Sequence, residues 1–244
     1  MATPHSPVPE VEVCFPSASA PQVRLEGLLG AIADEAKHPA AVLCHPGSSG
    51  PGGYEYPVIA GCAGTLHRAG LITLRFNFRG VQGSEGSRSG GVHEVGDVLG
   101  AVQFLRRRCD VEASKLFLLG DSFGAVMALE AFRRDSTTAG IICIVLPLAL
   151  MSSPPAYLRT DRRPKLFVAA QNDRLCNLDD LEEAFGHWAE PKDLIILEGA
   201  DHFLGIGPSS SDPVSRTIQV AETVAAWLGP NLRHPDHVAL FDST

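Results

Sequence analysis

The serine at position 122 lies in a short motif that can make a hydroxyl group reactive. Residues 116–124 read Leu-Phe-Leu-Leu-Gly-Asp-Ser-Phe-Gly, an apolar strand that leads into a Gly-x-Ser-x-Gly turn, and a run of helix formers follows. Such a turn holds its serine in a strained backbone conformation, and a side chain at Gly120 or Gly124 would collide where strand and helix converge. The motif predicts Ser122 as a nucleophile and the backbone N–H of Phe123 as a donor to an oxyanion.

A serine hydroxyl also needs an imidazole to remove its proton, and a carboxylate to fix the tautomer of that imidazole. Asp173 and His202 follow the ends of two later predicted strands. Ligands of a parallel sheet collect at the carboxyl ends of its strands. The chain order serine, aspartate, histidine differs from the orders of the chymotrypsin and subtilisin types. We therefore predict a catalytic triad of Ser122, Asp173 and His202.

Three other carboxyl groups compete with Asp173 for the role of orienting acid. Asp201 is the sequence neighbour of His202 and is poorly placed to bond the far side of that ring. Asp179 and Asp180 fall in a predicted helix, where acids of the first turn complement the helix dipole. The alternative is a chance serine turn with an unrelated aspartate and histidine, and the placement of all three at strand ends argues against it.

The second oxyanion donor is expected in the sequence His45-Pro46-Gly47-Ser48, which follows another predicted strand. Pro46 has no N–H, so the donor must come after it. Gly47 is the first choice because glycine lets a backbone approach a ligand closely, and Ser48 is the reserve. His45 either lines the substrate site or hydrogen-bonds the loop as a structural residue.

Hydrophobic patterning predicts an α/β fold with a mostly parallel sheet covered by helices on both faces. Short apolar runs predict strands at Glu10–Phe15, Gln22–Leu28, Ala40–Cys44, Leu71–Phe76, Lys115–Leu119, Ile141–Leu146, Lys165–Ala170 and Asp193–Leu197. Helical spacing predicts helices at Tyr54–Ala69, Val92–Cys109, Phe123–Arg134, Leu178–His187 and Pro213–Leu228, the last with Asp212 as its N-cap.

The 244 residues are enough for one large α/β domain and too few for two domains with a linker. We expect a tail at residues 1–9, a single domain at 10–229 and a second tail at 230–244. The net charge of −8 argues against a nucleic-acid partner. The longest apolar run, residues 139–151, is too short to span a membrane and contains a proline.

Cysteine usage and the first residues predict a cytoplasmic location. Six cysteines occur singly, without a C-x-x-C pair or a zinc-like spacing, which favours reduced thiols, with a disulfide pair as the alternative. They are Cys14, Cys44, Cys62, Cys109, Cys143 and Cys176. Residues 1–9 have neither the basic start nor the apolar stretch of a secretory signal.

No motif calls for a cofactor or a metal. Gly80, Gly83 and Gly86 do not have the G-x-G-x-x-G spacing of a dinucleotide site. His234 and His237 could bind a metal, but two histidines in a tail are more often solvated. We therefore expect neither a cofactor nor a metal. The expected partner is a small-molecule ester substrate, and the sequence makes no prediction of oligomeric state.

With these motifs in place, the chain resembles the α/β-hydrolase superfamily from about Val11 to Leu228. His45-Pro46 and the segment 75–86, Arg-Phe-Asn-Phe-Arg-Gly-Val-x-Gly-Ser-x-Gly, resemble a group of small lidless hydrolases related to dienelactone hydrolases and short-chain carboxylesterases. The resemblance implies an eight-stranded α/β-hydrolase fold and a serine-hydrolase mechanism. Dienelactone hydrolases carry a cysteine where this chain has Ser122, which makes a lactone substrate a poor expectation.

Only 13 residues, Ser152–Pro164, separate Met151 from the next predicted strand, which leaves no room for a cap domain. We expect an open cleft that suits esters with short or exposed acyl groups. Basic residues of this connection either meet an anionic substrate group, with Arg162 as the binding residue, or lie on a solvated loop; they are Arg159, Arg162, Arg163 and Lys165. The alternatives to an esterase are a thioesterase or peptidase with the same triad, and a non-catalytic binding protein of the same fold.

Overall fold

The computed structural model describes residues 9–47, 53–205 and 213–233, which contain eight strands and five α-helices. The strands are β1 Val11–Pro16, β2 Arg24–Gly30, β3 His38–Cys44, β4 Ile72–Phe76, β5 Val111–Asp121, β6 Gly140–Ile144, β7 Lys165–Ala170 and β8 Lys192–Leu197. The helices are α1 Pro57–Arg68, α2 Glu94–Arg106, α3 Phe123–Arg134, α4 Leu178–Gly186 and α5 Pro213–Arg233. The predicted strands and helices are confirmed, with some ends shifted by a few residues.

One sheet contains all eight strands in the order β1-β2-β4-β3-β5-β6-β7-β8. β2 pairs antiparallel with β1 and β4, and the other neighbouring strands pair in parallel. The chain first winds outward from β3 to β4, then crosses to β5 on the other side of β3 and continues to β8. The carboxyl ends of β3 and β5 therefore flank the point where the winding reverses, which is where open α/β sheets bind ligands.

The helices cover both faces of the sheet, as the sequence predicted. Along β5, Leu116 and Leu118 pack with the layer formed by α2, α3 and α4, while Phe117 and Leu119 pack with the layer formed by α1 and α5. Side chains of a strand alternate between faces, so a strand buried on both sides has to be apolar throughout. This explains why the central strands appear in the sequence as continuous apolar runs.

Two ion pairs anchor β4 and the segment that follows it. Arg75 donates to both carboxylate oxygens of Glu10, at 2.8 and 2.6 Å. Arg79 binds Asp97 of α2 through its backbone N–H and its guanidinium, and both side chains are at most 5% exposed. Arg79 thereby holds the start of the segment after β4 against α2, and both Arg75 and Arg79 have a structural role.

The connection between β6 and β7 contains only two 3-10 turns, Leu148–Leu150 and Ala156–Arg159. No further helix or strand is inserted between residues 145 and 164, all of which the structure describes. The prediction that the fold has no cap domain is confirmed.

The last helix is longer than predicted, because α5 continues through Pro230 to Arg233. Leu232 packs against the same core layer as Leu228, and the side chain of Asn231 donates to the carbonyl of Trp227 at 2.8 Å. These contacts support a last turn that proline alone would disfavour. Its proposed N-cap, Asp212, lies outside the described residues, as do His234 and His237.

All six cysteines lie in the described ranges and are unpaired. Cys14 and Cys109 are exposed, and the other four are buried. Within residues 9–47, 53–205 and 213–233, none of the helices has the length and apolar character that a membrane crossing requires.

Candidate active site

The turn between β5 and α3 has the strained geometry that its sequence predicts. Ser122 has a φ of +52° and a ψ of −115°, and its backbone N–H donates to the carbonyl of Ile144 on the adjacent strand at 2.9 Å. A Cβ at Gly120 would lie closer than 3.0 Å to the backbone of Gly124, and a Cβ at Gly124 would lie as close to the carbonyl of Cys44. Both glycines are required by the close approach of the backbone, so the turn presents Ser122 at the top of the sheet.

The structure brings the hydroxyl, the imidazole and the carboxylate together in one hydrogen-bonded chain. Ser122 Oγ lies 2.8 Å from His202 Nε2, and His202 Nδ1 lies 2.8 Å from Asp173 Oδ2. The other carboxylate oxygen of Asp173 accepts the N–H of Leu175 at 2.7 Å, which fixes its orientation. An ionised carboxylate keeps the proton of His202 on Nδ1, so Nε2 is the nitrogen left to accept a proton from Ser122.

The competing acids have other partners. Asp201 Oδ1 accepts the backbone N–H groups of Phe203 and Gly205, at 3.1 and 3.3 Å, and so stabilises the turn that carries His202. Asp179 and Asp180 are exposed residues of the first turn of α4. Among the described residues, Asp173 is the acid that hydrogen-bonds His202.

Two backbone N–H groups lie beside Ser122 without an acceptor in the described ranges, those of Phe123 and Gly47. Phe123 is the first residue of α3, whose leading N–H groups have no intrahelical partner. A Cβ on Gly47 would stand 3.3 Å from the Cβ of Phe123, so the loop after β3 passes directly beside the start of α3. The reserve candidate Ser48 lies outside the described residues.

Comparison with known proteins identifies the family of this chain. Residues 39–228 match a family model described as an alpha/beta hydrolase domain. The chain belongs to the alpha/beta-hydrolase family. An uncharacterized protein of Rickettsia prowazekii is 29% identical over 189 residues, which cover 75% of this chain and 79% of that protein.

Solved structures show the same fold for this alpha/beta hydrolase. A serine hydrolase homologue from Coxiella burnetii superposes with a TM-score of 0.73 at 24% identity, covering 89% of this chain and 97% of the other. A serine hydrolase without a lid from Xanthomonas campestris superposes with a TM-score of 0.69 at 22% identity, covering 92% of this chain and 98% of the other.

A small cleft of about 170 Å³ opens beside the start of α3 in this alpha/beta hydrolase. Its apolar walls include Phe78, Val81 and Phe123, and Gly47 lies on its border. The ring of Phe78 contacts that of Phe123 edge to face, with centroids 5.5 Å apart. The cleft therefore borders the two N–H groups that have no acceptor, and it is smaller than the roughly 300–1,000 Å³ of common small-molecule sites.

His45 lines this cleft, but both of its ring nitrogens are bound to the backbone. Nε2 accepts the N–H of Phe78 at 3.2 Å, and Nδ1 lies 2.6 Å from the carbonyl oxygen of Pro46. Burial lowers the pKa of His45 to about 4, so the ring is neutral at physiological pH. This geometry favours the structural alternative for His45 over a polar contact with substrate.

Glu94 is a site residue that the sequence did not reveal. Its buried carboxylate accepts the N–H and hydroxyl of Ser89, at 2.6 and 2.5 Å, and the N–H of Gly91 at 2.9 Å. Burial opposes ionisation, but these hydrogen bonds outweigh it and hold the pKa of Glu94 below its ordinary value. Glu94 thus ties the loop before α2 to the cleft wall. It is also the first residue of α2, which was predicted to begin at Val92.

The prediction that Arg162 binds substrate is wrong, because Arg162 lies at the opposite edge of the sheet. β7 begins at Lys165 and runs parallel to β6, so the residues just before it lie at the amino ends of the strands. Ser122 follows the carboxyl end of β5, and the two ends of a six-residue strand such as β7 are about 17 Å apart. Arg163 is bound there to Asp161 and to the carbonyl of Asp135, so Arg163 has a structural role.

Proposed function

We propose that this protein is a serine carboxylesterase that cleaves esters with short or exposed acyl groups through an acyl-enzyme. The observation that carries the proposal is the continuous hydrogen-bonded chain from Ser122 Oγ through His202 to Asp173 Oδ2, with both links at 2.8 Å. Neighbours of the fold described as serine hydrolases add support.

In the first half of the proposed reaction, Ser122 Oγ attacks the ester carbonyl carbon while its proton passes to His202 Nε2. The N–H groups of Phe123 and Gly47 stabilise the oxyanion, a contribution typically worth about 100- to 1,000-fold in rate per donor. His202 then gives the proton to the alkoxide as the C–O bond breaks, and the alcohol leaves. Asp173 stays ionised and stabilises the imidazolium throughout.

In the second half, His202 removes a proton from a water molecule that attacks the acyl carbon. The tetrahedral intermediate collapses, the bond to Ser122 Oγ breaks, and His202 returns the proton to that oxygen. The carboxylic acid leaves and the serine is restored. Each half uses the same three side chains, so loss of any one slows both.

The volume and the apolar walls of the cleft favour an ester with a short acyl group. Its volume is about 170 Å³, its walls are apolar, and it borders the proposed oxyanion donors. An acyl chain that starts at Ser122 and enters this cleft meets Phe78 and Val81, both of which are buried. A longer chain has to leave the cleft for solvent, so its additional methylene groups gain little from burial.

Labelling with a fluorophosphonate probe tests the enzyme class. The wild type and Ser136→Ala, a change at an exposed serine after α3, are expected to label, and Ser122→Ala is not. Labelling that survives Ser122→Ala would remove Ser122 from the mechanism. Failure of the folded wild type to label would favour the non-catalytic binding protein.

A series of p-nitrophenyl esters of increasing acyl length tests the substrate class. We expect kcat/KM to be highest for acetate to butyrate and to fall for octanoate. Phe123→Ala keeps the backbone N–H but removes a cleft wall, so it should raise the octanoate-to-acetate ratio of kcat/KM. Matched thioesters and peptides assayed in parallel decide between an esterase, a thioesterase and a peptidase.

The cytoplasmic location is also a proposal. It is supported by six unpaired cysteines, four of them buried, because reducing compartments keep such thiols reduced.

A further inference from the structure

Asp121 is a buried carboxyl group that the proposed reaction does not use. It is the last residue of β5 and directly precedes Ser122. Its side chain is 2% exposed, and its Oδ2 is fully enclosed and accepts no hydrogen bond from any residue the structure describes. Buried polar groups are nearly always hydrogen-bonded, so an exception beside a reactive serine calls for an explanation.

Asp121 lies on the face of the sheet that also carries the residues flanking His202. Side chains alternate along a strand, so Asp121 shares the face of Leu119, which packs into the layer of α1 and α5. The same layer contains Ala200 and Leu204, which bracket His202 in the chain. The Cα atom of Asp121 is also only about 3.8 Å from that of Ser122, whose hydroxyl bonds His202.

The titratable groups that face Asp121 belong to the triad and to α1 with its N-cap. His202 favours the ionised form of Asp121 and Asp173 opposes it. On the α1 side, Tyr56 and Cys62 interact with the same carboxylate, and both are neutral near pH 7 because burial raises the pKa of each. His202 is therefore the one group among these four that can offer Asp121 a positive charge.

Burial raises the pKa of Asp121 to about 7. The carboxyl group is thus close to its midpoint at neutral pH, and its proton is easily gained or lost. A group in this position changes its charge close to neutral pH, directly beside the proposed nucleophile.

We propose that Asp121 is a positioning residue for the hydrolysis, whose ionised carboxylate stabilises the positive charge that His202 acquires as it takes the proton of Ser122. It acts through its electric field and without a hydrogen bond to His202, as a second anion beside Asp173. The proposal rests on the proposed function of the triad. It involves no covalent step, and the proton of Asp121 exchanges with solvent.

Asp121→Asn separates this role from a purely structural one. Asparagine has the size and the neutral charge of the protonated acid, so the variant imitates Asp121 below its midpoint. We expect wild type and variant to have similar kcat/KM at pH 6. At pH 8.5 only the wild type carries the anion, and its kcat/KM should exceed that of the variant on the order of tenfold.

The deciding experiment combines that pH–rate comparison with an NMR titration of the His202 ring protons, assigned by their loss in His202→Gln. In the wild type the His202 ring protons should report a step from the titration of Asp121 near neutral pH, and in Asp121→Asn that step should be missing. Glu35→Gln is the control, because it removes a negative charge from an exposed site at the amino end of β3. It should match the wild type.

Identical His202 titrations in wild type and Asp121→Asn would overturn the proposal, and so would a rate ratio that does not change with pH. If Asp121→Asn does not fold, Asp121→Ser removes the same charge and takes its place. Because the NMR titration needs no substrate, an Asp121 step in the His202 signals of a protein that hydrolyses no ester would retain the coupling and reject only the esterase function.

Discussion

Gly124 packs its Cα atom against the carbonyl group of Cys44, so closely that a Cβ atom would lie less than 3.0 Å from that carbonyl oxygen. The contact joins the first turn of α3 to the end of β3. It therefore sets the distance between Ser122, which precedes α3, and Gly47, which follows β3. The proposed nucleophile and the second oxyanion donor are held together by this backbone contact.

Gly124→Ala is expected to destabilise the protein by more than about 3 kcal/mol, because the obstructing carbonyl group of Cys44 belongs to the backbone and cannot rotate away. Urea unfolding followed by circular dichroism measures the effect. Gly186→Ala at the end of α4 is the matched control, since its Cβ would meet nothing within 4 Å. It should be neutral or stabilising by up to about 1 kcal/mol. Equal effects of the two substitutions would contradict the assigned contact.

Asp173→Asn should lower kcat by roughly 10³- to 10⁴-fold on p-nitrophenyl acetate with little change in KM. The amide cannot hold the proton on His202 Nδ1, so the ring no longer presents Nε2 as a base. Asp180→Asn, at an exposed position of α4, is the control and should retain wild-type kcat. A wild-type kcat in Asp173→Asn would exclude it as the orienting acid.

The sequence was sufficient to predict the positions of Ser122, Asp173 and His202, because each follows the carboxyl end of a strand and those ends share one edge of a parallel sheet. Arg162 precedes a parallel strand and therefore lies at the other edge of the sheet, which its charge does not indicate. Asp121 and Glu94 could not be recognised, since burial and the number of hydrogen-bond partners depend on packing between elements distant in sequence.

The buried pair of Arg79 and Asp97 gives a third prediction. Asp97→Ala leaves a guanidinium buried without its carboxylate and should cost about 3–5 kcal/mol of unfolding free energy. The double variant Arg79→Met, Asp97→Leu should cost less, because no charge remains unpaired. As a control, Glu130→Gln removes an exposed pair with Arg133 and should cost less than about 1 kcal/mol. A double variant less stable than Asp97→Ala would contradict this account.

The buried carboxyl of Asp121 also predicts how stability depends on pH. Its pKa is about 7 in the folded protein and near 3.8 in the unfolded chain, so the folded state binds more protons between these values. The contribution of Asp121 to the free energy of unfolding is therefore fully present below about pH 4 and is lost as the pH rises through 7. Asp121→Asn lacks the titration, so its stability advantage over the wild type should widen by roughly 2–3 kcal/mol between pH 5 and pH 8.5. Urea unfolding at both pH values measures the difference, and Glu35→Gln should show no such change. A stability difference between Asp121→Asn and wild type that stays constant between the two pH values would mean that Asp121 is ionised throughout.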